Sequence, residues 1–216
     1  MALGREENPA YTFSQSVGDP WGADTVASNL TLINGRIGST RYSNSVNWRA
    51  SFGGFSAGVQ FAEREDNAPQ LGASDDRPYS LGAAYKAGAW TFGFGHENPA
   101  DHDDHWTTLN ASYDFGTFKL GGLLGRGKNG AAQTHRAFLV NATVPLGSGE
   151  LRTSYGELEN TSLAAIGVLD KQFGIGYFHP LSKRTTLYAN LVHEDRDNLQ
   201  ADRRKTGWDL GIKHNF

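Results

Sequence analysis

From Ser45 onward, apolar side chains recur at every second position: Val46, Trp48, Ala50 and Phe52, then Phe55, Ala57, Val59 and Phe61. A period of two marks an extended strand with one greasy face. Only Gly53 and Gly54 separate the two runs, and a two-residue hairpin sets Phe52 opposite Phe55, so the two apolar faces coincide. The device repeats. Tyr79, Leu81, Ala83 and Tyr85 meet Trp90, Phe92 and Phe94 across the turn from Lys86 to Ala89, and Leu109, Ala111, Tyr113 and Phe115 meet Phe118, Leu120, Gly122 and Leu124 across Gly116 and Thr117. Phe138, Val140, Ala142 and Val144 lead through Pro145 to Gly149 into Leu151, Thr153 and Tyr155, while Phe173, Ile175 and Tyr177 lead through a Pro-Leu-Ser turn into Leu187, Ala189 and Leu191. The last run carries Trp208, Leu210, Ile212 and Phe216, interrupted by His214. The intervening positions are small or polar, as at Asn47, Arg49, Ser51, Ser56, Gly58 and Gln60. One face of these strands avoids water and the other accepts it.

Composition agrees with an all-β chain. The 27 glycines, 12% aromatic residues and single methionine among 216 residues suit tight turns and pleated surfaces better than helix interiors. Mean hydropathy is low, at −0.51, and the longest apolar runs, such as Leu163 to Leu169, fall far short of the roughly 18 residues of a spanning helix. A low mean does not speak against membrane strands, because these average a lipid-facing with a hydrated face. Cysteine is absent, which removes disulfides, thiolate ligands and thiol nucleophiles. A formal charge of −3 argues against a nucleic-acid partner, whose binding domains carry a basic excess. Met1 to Asn8 is polar and charged, unlike the apolar core of a secretory signal, so we expect a leader to have been removed or the chain to have been cut. Residues 1–216 are expected to form a single domain.

A soluble β-sandwich shows the same alternation, and a secreted or surface binding module of that kind is the main rival reading. Two patterns favour a membrane barrel. Tight turns at Gly53, Ala87, Gly116, Leu146 and Leu181 interleave with polar stretches expected to be long loops, at Glu63 to Pro78, Glu97 to His105, Arg126 to Thr134, Glu157 to Asp170 and Glu194 to Lys205. Outer-membrane barrels have this asymmetry, with short turns on one side and longer loops on the other, whereas Greek-key sandwiches mix their connections. The aromatics Phe52, Phe55, Tyr85, Trp90, Phe115 and Phe118 all lie beside short turns on the apolar face, which places them at one level. Aromatic rings favour that level at a membrane–water boundary.

With these residues in view, the chain resembles the general porins of β-proteobacteria, the trimeric sixteen-stranded diffusion barrels of Gram-negative outer membranes. The most specific pieces are Arg41-Tyr42-Ser43-Asn44-Ser45-Val46 followed by Phe52-Gly53-Gly54-Phe55, then Pro180-Leu181-Ser182-Lys183-Arg184-Thr185, and Gly211-Ile212-Lys213-His214-Asn215-Phe216 at the end. The resemblance implies that Leu3-Gly4-Arg5 ends a strand and that about Glu6 to Ser39, including Asp19-Pro20-Trp21-Gly22, is a loop folding inward to narrow the lumen. Residues 1–43 would then be a strand stub plus that loop, and 44–216 consecutive antiparallel hairpins. The fold expected is an antiparallel transmembrane β-barrel with 11 or 12 strands from this chain. Eleven are counted from Ser45 on, so either the Met1 to Thr12 region adds a twelfth, or the chain is one piece of a larger barrel.

For such a pore, chemistry is field and size. The resemblance implies wall arginines at Arg5 and Arg41. Parity adds Arg49, and Asp19 and Asp24 on the inward loop would be their counter-charges, giving a constriction expected to prefer anions. The partners expected are outer-membrane lipid, small hydrophilic solutes or ions, and, by resemblance, two further copies in a homotrimer. Phe216, with Ile212, Leu210 and Trp208 on one face, resembles the C-terminal strand signal read by barrel-assembly machinery through β-augmentation. No metal or other cofactor is expected: Asp101-His102-Asp103-Asp104-His105 has ligand residue types but reads as a solvated loop without a partner cluster. Outer-membrane hydrolases make an enzyme the second alternative. Against it, no Gly-x-Ser-x-Gly elbow is present, and His135, His179 and His193 are scattered.

Overall fold

A computed structural model describes residues 1–63, 77–99, 104–129, 133–162, 167–198 and 201–216, with the backbone alone at 197–198 and 201–204. Twelve strands form one antiparallel sheet in sequence order. They are β1 (Ala2–Glu7), β2 (Arg41–Phe52), β3 (Phe55–Ala62), β4 (Tyr79–Ala87), β5 (Trp90–Asn98), β6 (His105–Asp114), β7 (Lys119–Lys128), β8 (Thr134–Leu146), β9 (Gly149–Asn160), β10 (Gly167–Pro180), β11 (Thr185–Asn198) and β12 (Ala201–His214). The hairpins close in the register that parity requires, with Phe52 opposite Phe55 and Ala87 opposite Trp90. Gly53 and Gly88 take the left-handed backbone that those tight turns need, at φ 57° and 60°. The Met1 to Thr12 region does supply a twelfth strand. Among the described residues β1 and β12 each pair on one side only and are the edges of the sheet.

Four of the stretches read as long loops are partly strand. β5 continues to Asn98, β7 to Lys128 and β9 to Asn160, and β11 runs on until Asn198 faces Ala201 of β12, so the described part of Glu194 to Lys205 is paired strand rather than loop. The physical reason is plain on the outward face. Above the apolar residues it turns charged, at Arg126, Arg136, Glu157, Glu159 and Lys171, so the alternation fades while the backbone ladder continues. Hydrophobic period reports the height of the greasy band, not the length of the strand. Most of Glu63 to Pro78, like Asp101 to Asp103 of the acidic cluster, lies outside the described residues.

Between β1 and β2 the chain crosses the inner face of the sheet. It contains three short helical turns, at Tyr11–Gln15, Ser16–Gly18 and Leu30–Ile33. Its apolar residues meet apolar residues of the wall in three small clusters: Leu32 and Ile37 with Trp106, Ala137 and Leu158; Ile33 with Leu123 and Leu139; and Trp21 and Ala27 with Phe178 and Val192. Outward, Val46, Trp48, Phe52, Leu109, Leu124, Val140, Trp208, Leu210 and Ile212 are all exposed. Among the described residues, the buried core is therefore the seam between loop and wall, and none packs over the greasy outer face.

Candidate functional site

The seam is built on missing side chains. Gly58 of β3, Gly82 of β4 and Gly95 of β5 stand in one cross-strand row that continues through Thr108 to Gly125. A Cβ at Gly82 would run into the carbonyl of Pro9, and one at Gly95 would lie 2.8 Å from the carbonyl oxygen of Ala10. The bare strip lets the Tyr11–Gln15 turn lie directly on the wall. Further along, Trp106 is wholly buried over Gly125 and donates from its indole N–H to the carbonyl of Ile33 at 2.7 Å.

Polar anchors fix the rest. Glu97, fully buried at the top of β5, accepts hydrogen bonds from Asn8 Nδ2 (3.0 Å), Gln15 Nε2 (2.6 Å), the backbone N–H of Ser39 (3.0 Å) and the Tyr42 hydroxyl (2.8 Å), clasping both ends of the loop. Among the described residues no cation pairs with this carboxylate, and the four donors compensate its burial. At the far end Asp170 of β10 faces Arg36 of the loop at 3.5 Å and Arg196 of β11 at 3.0 Å. Between these, Ser14 meets Thr108 and Asn110, Trp21 donates to Ser154 Oγ, Asn141 donates to the Gly18 carbonyl, and Gln172 donates to the carbonyls of Ala27 and Ser28. Asp209 of β12 accepts from the N–H of Val26 at 3.0 Å.

The residues singled out for the constriction fall into four groups. Arg41 and Arg49 converge on Glu7, the first through a 2.8 Å ion pair and the second by donating to its carbonyl. Arg5 donates to Ser43 at 3.3 Å beside a bulge in the β1–β2 ladder, where Asn44 adopts φ 49°. That bulge resets parity, so Tyr42 and Ser45 are both buried. Asp19 meets none of these arginines. It is buried and knots its own loop, accepting from the N–H groups of Trp21 (3.1 Å) and Ala23 (2.9 Å) and from the Ser28 hydroxyl (3.0 Å). Burial pushes its carboxyl above the usual range, against the pull of those donors. Asp24 is exposed and pairs with Lys213 of β12 at 3.3 Å. The expected counter-charges thus serve loop shape and a loop-to-β12 contact, because short Asp side chains in a tight loop find nearby backbone N–H groups first.

Beneath the loop, at the tight-turn end, lies a polar recess of about 380 Å³ lined by Asp19, Lys119, Asn141, Glu150 and Arg152, among others. Arg152 donates to the Pro20 carbonyl and to Glu150, both at 2.7 Å, and its guanidinium stacks 3.9 Å from the Phe178 ring. Glu97, Asp170, Arg196 and Arg152 were not singled out from the sequence. Parity could have flagged Glu97, since Gly93, Gly95 and Glu97 continue one face of β5.

The aromatics at the hairpin ends form a ladder. Ring centroids are 5.2 Å apart for Phe52 and Phe55, 4.7 Å for Trp90 and Tyr113, and 4.5 Å for both Tyr113–Phe115 and Phe115–Phe118, while Tyr85 sits between Phe55 and Phe92 in register. On β12 Trp208, Leu210 and Ile212 point outward and are among the most exposed apolar residues, as is Phe216. Among the described residues no three histidines and carboxylates gather as a metal site.

Comparison with known proteins agrees with this geometry. Outer membrane porin protein 32 of Delftia acidovorans is 32% identical over 197 aligned residues, covering 77% of this chain and 54% of the relative, so the chain spans about half that relative's length. The anion-selective porin from Comamonas acidovorans superposes with a TM-score of 0.79 at 27% identity, over 99% of this chain and 73% of that one. A trimer form of OmpT, an outer-membrane protein of Vibrio cholerae, shares the fold with a TM-score of 0.69 at 13% identity, over 97% of this chain and 74% of that one. The family model described as Gram-negative porin matches residues 1–199, and the chain belongs to that family.

Proposed function

We propose that this chain supplies the wall and constriction loop of an outer-membrane porin, a passive channel for small hydrophilic solutes and ions. The observation that carries the reading is the segment between β1 and β2, anchored across the hydrated face of a sheet whose opposite face is greasy and, among the described residues, uncovered. A segment in that position narrows a lumen and leaves the solute a polar path. No covalent step is involved. The outer edges of β1 and β12 have to be paired in a bilayer, with each other or with further strands, because each unsatisfied backbone group costs several kcal/mol in hydrocarbon.

Anion preference is part of the proposal. It is supported by Arg5, Arg41 and Arg49 gathered on β1 and β2, by Lys119 and Arg152 in the recess, and by likeness to a porin described as anion-selective. Asp19, tied up in its loop, does little to offset them, and Asp24 is partly offset by Lys213. A homotrimer is proposed by analogy with the trimer form among the solved neighbours. Phe216 with Trp208, Leu210 and Ile212 is proposed as the edge read during membrane insertion, and deleting Phe216 is expected to lower the folded yield in membranes.

The test is a planar bilayer under a salt gradient. We expect step conductances with a reversal potential of the sign set by anions. Absence of steps from protein folded in detergent would overturn the channel reading, and a cation-type reversal potential would overturn the constriction assignment alone.

A further inference from the structure

On the outward face of β7 and β8, Arg126 and Arg136 stand directly opposite one another. Both side chains are exposed, and among the described residues neither makes an ion pair. Like charges directly across a strand pair are destabilising, so the pairing of Arg126 with Arg136 does not itself stabilise the sheet. Lys128 stands two positions further along the same face of β7, and Glu159 of β9 stands directly opposite Arg136 on its other side. Lower down, Glu157 is taken by the hydroxyl of Tyr155 and by Lys171 at 3.9 Å. The row across β7, β8 and β9 is thus two guanidiniums against one carboxylate, Glu159.

Surface shape follows charge. Two hollows flank the arginines: one of about 410 Å³, lined by His105, Thr107, Arg126 and Lys128 above Leu109 and Leu124, and one of about 290 Å³, lined by Arg126, Arg136, Glu157 and Glu159 above Phe138. Directly below, sharing Leu109, Leu124 and Phe138, runs an apolar groove of about 770 Å³ floored by the small residues Ala83, Ala111 and Gly122 and edged by Phe92, Phe94 and Val140. Cations therefore cap the end of a greasy trough, at the level where the outer face passes from apolar to charged.

We propose that this is a binding site for a phosphorylated lipid, with its phosphate between Arg126 and Arg136 and an acyl chain in the groove below. Guanidinium forks match phosphate oxygens in bidentate fashion and desolvate more readily than ammonium groups. The site belongs to the leaflet on the longer-loop side, since Arg126 and Arg136 lie near the β7–β8 loop and away from the tight turns. This inference rests on the outward face being lipid-facing, as in the channel reading, but not on conduction.

The test is native mass spectrometry of the whole chain folded in a zwitterionic detergent, titrated with dimyristoyl phosphatidic acid or dimyristoyl phosphatidylcholine. The expected result is roughly tenfold stronger retention of the phosphatidic acid, lost in R126Q/R136Q and weakened in A111F, which fills the groove while leaving both arginines. Inorganic phosphate in millimolar excess is expected not to displace the lipid. Equal retention of both lipids, or an unchanged R126Q/R136Q variant, overturns the site, and full displacement by inorganic phosphate overturns the acyl groove. Both variants are expected to keep the wild-type conductance and the heat-modifiable gel band. If the wild type itself gives no such folded band in detergent, the lipid-facing reading falls, and this site with it.

Discussion

Gln15 Nε2 donates to Glu97 Oε1 at 2.6 Å, joining the first helical turn of the inward loop to the top of β5. Three further donors converge on that carboxylate, from Asn8, Ser39 and Tyr42, so one side chain holds both the entry and the exit of the loop. Glu97→Ala leaves these donors buried without an acceptor, at about 1–3 kcal/mol each where water cannot replace it. The loop is then expected to detach at this end, giving larger and noisier single-channel steps and faster protease cutting within residues 8–40. Glu97→Gln, which turns one acceptor into a donor, should lie between the two.

Orientation can be read from tryptophan. Trp48, Trp90 and Trp208 are exposed on the outward face, whereas Trp21, on the inward loop, and Trp106, on the wall, are buried in the seam between them. With single-tryptophan variants in bilayers of bromine-labelled lipid, fluorescence of the first three should be quenched and that of the last two spared. Trp90, in the aromatic ladder beside a tight turn, should respond best to bromines near the headgroups, because indole favours that level. Quenching of Trp106 to the level of Trp48 would reverse the assignment of faces.

Close backbone approach makes the glycine row a second handle. Gly82→Leu sets a side chain where the Pro9 carbonyl lies, and Gly95→Leu sets one against Ala10, so each should push the loop off the wall. Overpacking of this kind costs typically about 1–3 kcal/mol. The expected readout is a lower temperature for conversion of the folded to the unfolded gel band, together with altered conductance. Gly167→Ala is the control, since no described residue lies within 4 Å of its Cβ position, and it should leave both unchanged.

The outward half of the fold was legible because lipid imposes one simple demand, an apolar residue at every second position, and eleven strands, their parity and the aromatic level follow from it. The inward half obeys no such single demand. Leu123, Leu139, Leu158 and Phe178 are apolar residues on the hydrated face, there to receive Leu32, Ile33 and Trp21, and their meaning appears only when the loop is laid across them. Asp19 could be placed on the loop from the sequence, but not its turn inward on its own backbone, because donors within two to four residues leave no periodic trace. The bulge at Asn44 is likewise invisible to parity and decides that Tyr42 reaches Glu97.

Asp170 tests the other anchor. It lies between Arg36 and Arg196, so Asp170→Asn leaves two cations facing each other across the seam. Removing one partner of a well-buried pair costs about 3–5 kcal/mol, but both arginines are about one-third exposed, and water screens what remains. The expected loss is therefore about 1–2 kcal/mol. It should be seen as earlier thermal unfolding in detergent that Asp170→Asn combined with Arg36→Met partly restores. No recovery in the double variant would show that Arg36 and Asp170 do not act as a pair.

Lys213 and Asp24 should separate stability from selectivity. Their 3.3 Å contact joins the loop to β12, but both side chains are more than half exposed, and such pairs are worth about 0–1 kcal/mol. Lys213→Ala is thus expected to leave thermal unfolding within error of the wild type. It still removes a cation from the hydrated face and leaves Asp24 uncompensated, and an unscreened carboxylate repels anions over about a Debye length, about 10 Å at 0.1 M salt. The reversal potential under a salt gradient should therefore move toward the cation side, most in dilute salt. Asp24→Asn should move it the opposite way. If both variants keep the wild-type potential at low ionic strength, the permeating path does not pass between the loop and β12.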